Sequence, residues 1–110
     1  MTSTFLVGRA AKMRDKVLQF IKAFSNFGDD VIDCFTCGNC YWFAHILSTR
    51  FQGLIVYDVI ANHFGCQVGA DVFDITGIVN NQYHWQDWYS LEQEYDPLVI
   101  SRIYRDCVNF

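Results

Sequence analysis

Apolar residues recur along this chain with two different periods, and the change of period divides it into elements. Met13, Val17, Phe20, Ile21 and Phe24 keep the three-and-four spacing of one helix face, with Arg14, Lys16 and Lys22 off that stripe. This predicts an amphipathic first helix ending near SNFGDD. After Gly38, the residues Cys40, Phe43, Ala44, Leu47 and Phe51 repeat the spacing, and Asn39 is suited to cap the N-terminus. Cys40 then falls in the first turn of a second helix. Beyond Gly53 the period shortens: LIVY, NHFGCQV and DVFDI are rich in β-branched and aromatic residues, broken by DVIA and by Gly69-Ala70. They predict short antiparallel strands. NNQYHWQDWYSLEQEY carries no clear period. Asp96 followed by Pro97 reads as an N-cap with a first-turn proline, and Ile100, Ile103, Tyr104 and Cys107 keep helical spacing towards the C-terminus. The predicted fold is α+β: an N-terminal helix, a central helix, a small antiparallel sheet and a C-terminal helix.

The 110 residues suit one domain, and no repeat or linker-like stretch divides them, so residues 1–110 are read as a single unit. With half the residues hydrophobic and one proline, a packed globule is expected rather than disorder. The formal charge of -4 argues against nucleic acid as a partner, because a phosphate backbone is bound through basic surface. The charge is uneven: Arg9, Lys12, Arg14, Lys16 and Lys22 crowd the first 22 residues against Asp15 alone. A solvated helix flank is the expected meaning of that bias, ahead of a docking face for an acidic partner. No apolar run reaches the length of a secretory core or of a membrane span, so no membrane association and a cytoplasmic location are expected. In that compartment thiols stay reduced, and five cysteines read as catalytic, metal-binding or buried rather than as a disulfide framework.

The strand register supplies the chemistry. A type II′ turn wants glycine first; placed at Gly69-Ala70 it pairs Val68 with Asp71 and fixes the other pairs. Phe64 then faces Ile75 and Cys66 faces Phe73 on an apolar surface. On the opposite surface His63, Gly65 and Gln67 meet Thr76, Asp74 and Val72. His63 and Asp74 become diagonal neighbours across a glycine, about 7 Å apart at Cβ, a span that an imidazole and a carboxylate can close. A carboxylate that orients a histidine is half of a nucleophilic triad. Cys40 is the expected nucleophile, because the first turn of a helix offers a positive dipole end and free N–H groups that lower a thiol pKa and hold an oxyanion. His45 is excluded as the base: five residues at ~100° each turn it roughly 140° away from Cys40.

GNCYWFA at a helix start, NHF opening a strand and FDITG closing the next resemble the Cys, His, Asp order of the papain-like and transglutaminase-like cysteine hydrolases, particularly short bacterial and phage members. The resemblance spans about Gly38 to Gly77. Cys34 stands near where many papain-type enzymes carry an oxyanion-hole glutamine, and Phe64 follows the histidine where a tryptophan is usual. The resemblance implies a cysteine hydrolase or acyltransferase, acting as a protease, deamidase or transglutaminase, with Cys40, His63 and Asp74 as triad and a protein or peptide substrate. It implies no cofactor. Asn39 and the N–H of Cys40 are the expected oxyanion donors, and Trp42, Trp85 and Trp88, with His84, are candidates for a substrate groove. Asp87, Glu92 and Glu94 read as solvated surface.

Two other readings compete. Cys34 and Cys37 have zinc-knuckle spacing, and His63 with Cys66 would complete a ligand set, but strand alternation puts those two on opposite faces of the sheet. Ala44 stands where an iron–sulfur run wants a cysteine. The second alternative is a non-catalytic binding or inhibitor protein on a papain-like scaffold, of the kind a phage encodes as an effector. Substrate and oligomeric state leave no trace in the residues.

Overall fold

The computed structural model describes residues 2–28, 30–36 and 38–108, with side chains from residue 12 onward. The long first helix, α1 (Thr2–Ser25), is followed by a short α2 (Val31–Thr36) and by α3 (Cys40–Phe51). Strands β1 (Leu54–Asp58), β2 (His63–Val68), β3 (Asp71–Asp74), β4 (Gly77–Ile78) and β5 (Gln86–Asp87) come next, then α4 (Trp88–Glu94) and α5 (Pro97–Cys107). Among the described residues the strands form one five-stranded antiparallel sheet in the order β4-β3-β2-β1-β5. The fold is α+β, as the change of period predicts.

The β2–β3 register matches expectation, with Cys66 opposite Phe73 and Val68 opposite Asp71. Gly69 has φ +64° while Ala70 stays out of the positive region, the sign pattern of a II′ turn. The pleat then sorts the side chains. Phe64, Cys66, Phe73 and Ile75 face α3 and are buried with Phe43, Ala44 and Leu47. On the other face Val56, Val72 and Val79 pack with Tyr83 and Trp85. Gly65 lies on this second face because Trp85 needs the room: a Cβ there would stand 3.1 Å from the indole and 3.1 Å from Val72.

The α1 stripe is mostly as predicted. Val17 and Ile21 are buried, and Phe24 packs on Phe35 and Phe43 with ring centroids 5.3 and 5.1 Å away. Met13 is the exception and is exposed. Arg14 reaches across to the sheet, its Nε donating to Asp71 Oδ2 at 2.8 Å. The short elements α2, β4, β5 and α4 carry no period of their own and depend on tertiary pairing. Asp96 caps α5 as predicted, accepting from the Leu98 N–H at 2.8 Å. Asp87, expected as solvated surface, caps α4 by accepting from Tyr89 N and Ser90 Oγ at 3.1 and 2.9 Å. Glu92 accepts from the Tyr104 hydroxyl. Among the described residues no helix is long and apolar enough to cross a membrane.

Candidate active site

Cys40 is the first residue of α3 and His63 the first of β2, so the two meet at an end of the sheet rather than across it. The hydrogen bond drawn from the register is present: His63 Nε2 lies 2.9 Å from Asp74 Oδ2. This spends Nε2 and leaves Nδ1 for the sulfur of Cys40, which the His63 ring faces together with the Phe64 N–H. Asp74 is held in turn by Thr76, whose backbone N–H donates to Oδ1 at 2.7 Å and whose hydroxyl donates to the same oxygen. All three triad members are largely withdrawn from solvent, at 4% exposure for Cys40, 8% for His63 and 6% for Asp74.

Burial on this scale makes the charges depend on one another. The Cys107 thiol beside the Cys40 sulfur is the largest influence on it. Burial acts the other way, but His63 and the Phe64 N–H add to the pull, and the Cys40 pKa falls from 9.0 to about 5. Burial alone would lower His63, yet its bonds to Asp74 and Cys40 raise it to about 9. Asp74 is pushed up by burial and held below the ordinary carboxylate value by His63 and Thr76. The site therefore rests near neutral pH as thiolate, imidazolium and carboxylate. Cys107 pays the opposite penalty: beside the Cys40 charge its own pKa is driven far upward, so it stays a neutral donor. Its sulfur also lies 3.4 Å from the carbonyl of Asn62, the residue before His63, which holds α5 against the start of β2.

The other expected residues divide. Asn39 occupies the cap position of α3 but makes no side-chain cap bond. Its Nδ2 turns back to donate to the Cys34 carbonyl at 3.3 Å, so the predicted cap is absent and the amide N–H is engaged away from Cys40. Trp42 lines an apolar cleft of about 360 Å³ with Cys34, Phe35, Asn39 and Ile46, beside the start of α3. Trp85 lies on the His63 face, with ring centroids 6.0 Å apart, and is locked by Nε1 donating to the Val79 carbonyl at 3.0 Å. Trp88 is drawn away from any groove shared with His63: it is buried against Tyr57 and Phe64 on the α3 side and donates to the Tyr104 hydroxyl. His84 is exposed and lines a second cleft beside Trp85. His45 is exposed and stacks on Tyr41.

The metal set does not assemble. Cys66 is sealed in the core on the face opposite His63, and burial raises its pKa to about 12. Cys37 lies outside the described residues, and among those described no group of three His, Cys, Asp or Glu side chains could hold an ion. Cys107 and Tyr83 are the site neighbours that sequence reasoning passed over. Cys107 is visible only as one more apolar position on the α5 stripe. Tyr83, whose ring packs 5.1 Å from His63, sits in the stretch without a period. Comparison of the chain with family models, with curated proteins and with solved structures finds no match.

Proposed function

We propose that the protein is a cysteine hydrolase or acyltransferase acting on an amide or thioester, with a scaffold of the papain-like and transglutaminase-like kind. The observation that carries the reading is one imidazole held between the Asp74 carboxylate, at 2.9 Å, and the thiol at the start of α3. In that arrangement the Cys40 thiolate attacks the acyl carbon, and the oxyanion collects against the Cys40 N–H at the positive end of α3. The imidazolium gives its Nδ1 proton to the departing amine or thiolate, leaving the acyl group on sulfur. Water or an amine then loses a proton to His63 as it attacks the acyl carbon, and Cys40 departs as thiolate. Asp74 keeps the ring in the tautomer and orientation both steps need. The apolar cleft lined by Trp42 and Asn39, beside the start of α3, suits the acyl side of a peptide.

A screen with electrophilic peptide and glutamine mimics tests this. The expected result is a single adduct on Cys40, lost in Cys40→Ala and strongly slowed in His63→Ala. Labelling spread over Cys34 and Cys40 at ordinary thiol rates would overturn it. The depth of Cys40 favours a second reading, a non-catalytic binding protein on the same scaffold. That reading predicts no Cys40 adduct with any acyl mimic, together with retained partner binding in Cys40→Ala.

A further inference from the structure

His63 and Asp74 stand in a part of the chain with a one-sided charge. Residues 53–101, which hold the sheet, α4 and the connecting loops, contain seven aspartates and glutamates and not one lysine or arginine. Arg14 reaches in from α1, and it is taken up by Asp71 at the far end of β3 from Asp74.

Asp58 ends β1 directly opposite His63 in the ladder, so the two side chains share the face that carries Tyr83 and Trp85. Asp58 is buried, and its Oδ1 accepts from the Ile60 N–H at 2.9 Å, closing the β1–β2 turn. Its Oδ2 receives only the His84 N–H at 3.4 Å, and among the described residues it has no basic partner. The same carboxylate lines a cleft of about 510 Å³ with Asn80, Tyr83, His84, Trp85 and Gln86. Two of the walls are rigid π faces: Tyr83 and Trp85 are 4.8 Å apart at 49°, and Tyr83 packs on His63 at 5.1 Å. Tyr83 both lines the cleft and packs on His63, so one side chain separates the cleft from the triad.

A carboxylate with spare acceptor capacity beside two fixed aromatic faces is what an alkylammonium or guanidinium ion is bound by, since the ring faces and the carboxylate attract the same sign of charge. An anionic group would meet the Asp58 carboxylate, which no lysine or arginine faces among the described residues. We propose that the Asp58, Tyr83 and Trp85 cleft is a subsite for a positively charged group of the substrate, an alkylammonium or guanidinium carried within a few bonds of the scissile acyl group. The inference rests on Cys40 being the nucleophile.

The test uses two chloroacetamides of equal length, N-(5-aminopentyl)-2-chloroacetamide and N-hexyl-2-chloroacetamide, each alkylating sulfur with loss of chloride. Rates at Cys40 of the full chain are followed by peptide mass and divided by those of N-acetylcysteine amide. The cationic reagent is expected to react about tenfold faster than the neutral one, with the preference shrinking as salt is raised. In Asp58→Asn, which retains an acceptor for the turn N–H, the ratio should fall towards one; Trp85→Leu should lower it severalfold. Because the ratio compares two reagents on one sulfur, a variant that merely damages the thiolate lowers both rates together. A ratio near one in the parent, or one unchanged by Asp58→Asn, overturns the subsite while leaving the nucleophile standing. Failure of both reagents to select Cys40 over the exposed Cys34 overturns the nucleophile, and the subsite with it.

Discussion

At the scale of single residues the site is a set of compensations. A thiol with its pKa near 5 beside an imidazole near 9 leaves a window between those values in which the ion pair is intact. Below about 5 the sulfur regains its proton, and both alkylation and turnover fall. Above about 9 the ring loses its proton: turnover falls for want of a general acid, while alkylation of the thiolate persists. The two pH profiles should therefore share an acid limb and part company on the alkaline side. Parallel loss of both above 9 would be the wrong outcome. Cys107 makes a second case. Replacing it by alanine removes the largest contribution to the Cys40 shift, so the acid limb in Cys107→Ala should move to higher pH, read as the midpoint of iodoacetamide reactivity. An unmoved midpoint would mean that His63 and the α3 terminus suffice.

The elements matter through the places they bring together. α3 presents Cys40 at its first residue, β2 presents His63 at its first residue, and the β2–β3 hairpin brings Asp74 within reach. Gly65 is the hinge of this arrangement, because its missing side chain admits the Trp85 ring to the face shared with His63. A larger residue must push on the indole, on Val72 and on the Phe73 carbonyl, which would lie only 3.2 Å from the new Cβ. Gly65→Val should cost about 1–3 kcal/mol in urea unfolding and weaken both aromatic walls of the cleft, measured by tryptophan fluorescence. Phe43 plays the matching part on the other face, where it joins α1, α2 and α3 through Phe24 and Phe35. Phe43→Ala should cost about 3–5 kcal/mol, close to the whole stability of many small domains.

For the whole molecule the question is what ties the helical layer to the sheet. Apolar packing does most of it, and Arg14 to Asp71 adds one polar link between α1 and β3. Asp71 is held below its ordinary value chiefly by the Asn80 amide and then by Arg14, and Asp74 by His63 and Thr76. For a carboxylate with a depressed folded pKa, the stabilisation is complete above the unfolded value of 3.8 and is lost as pH falls through the folded one. The carboxylate part of the stability should thus be complete about a unit above 3.8 and be lost as the pH falls further, alongside the protonation of Cys40 near 5. Arg14→Gln should reduce that acid sensitivity while costing less than about 1 kcal/mol at neutral pH, since the guanidinium is half exposed. Thermal melts at stepped pH test both statements.

How much of this was legible before folding follows from the range of the forces involved. Periodicity, caps and turn chemistry are local, and from them came the long helices, the three main strands, the II′ turn at Gly69 and the Asp96 cap. The hairpin register is local too, and it was enough to pair His63 with Asp74. Whether Asn39 caps α3 was decided elsewhere, because the bond from its Nδ2 to the Cys34 carbonyl of α2 orients the amide away from the cap position. The short α2, α4, β4 and β5 bury too little to signal themselves and exist through the neighbours they pair with. Trp85 and Trp88, three residues apart, look alike on paper, yet one lies beside His63 and the other in the core, since β5 and the cap of α4 turn the chain between them. The Cys107 thiol beside Cys40 and the acidic aromatic cleft opposite His63 belong entirely to tertiary structure. Each brings together side chains more than twenty residues apart, and no spacing along a chain encodes a contact made by packing.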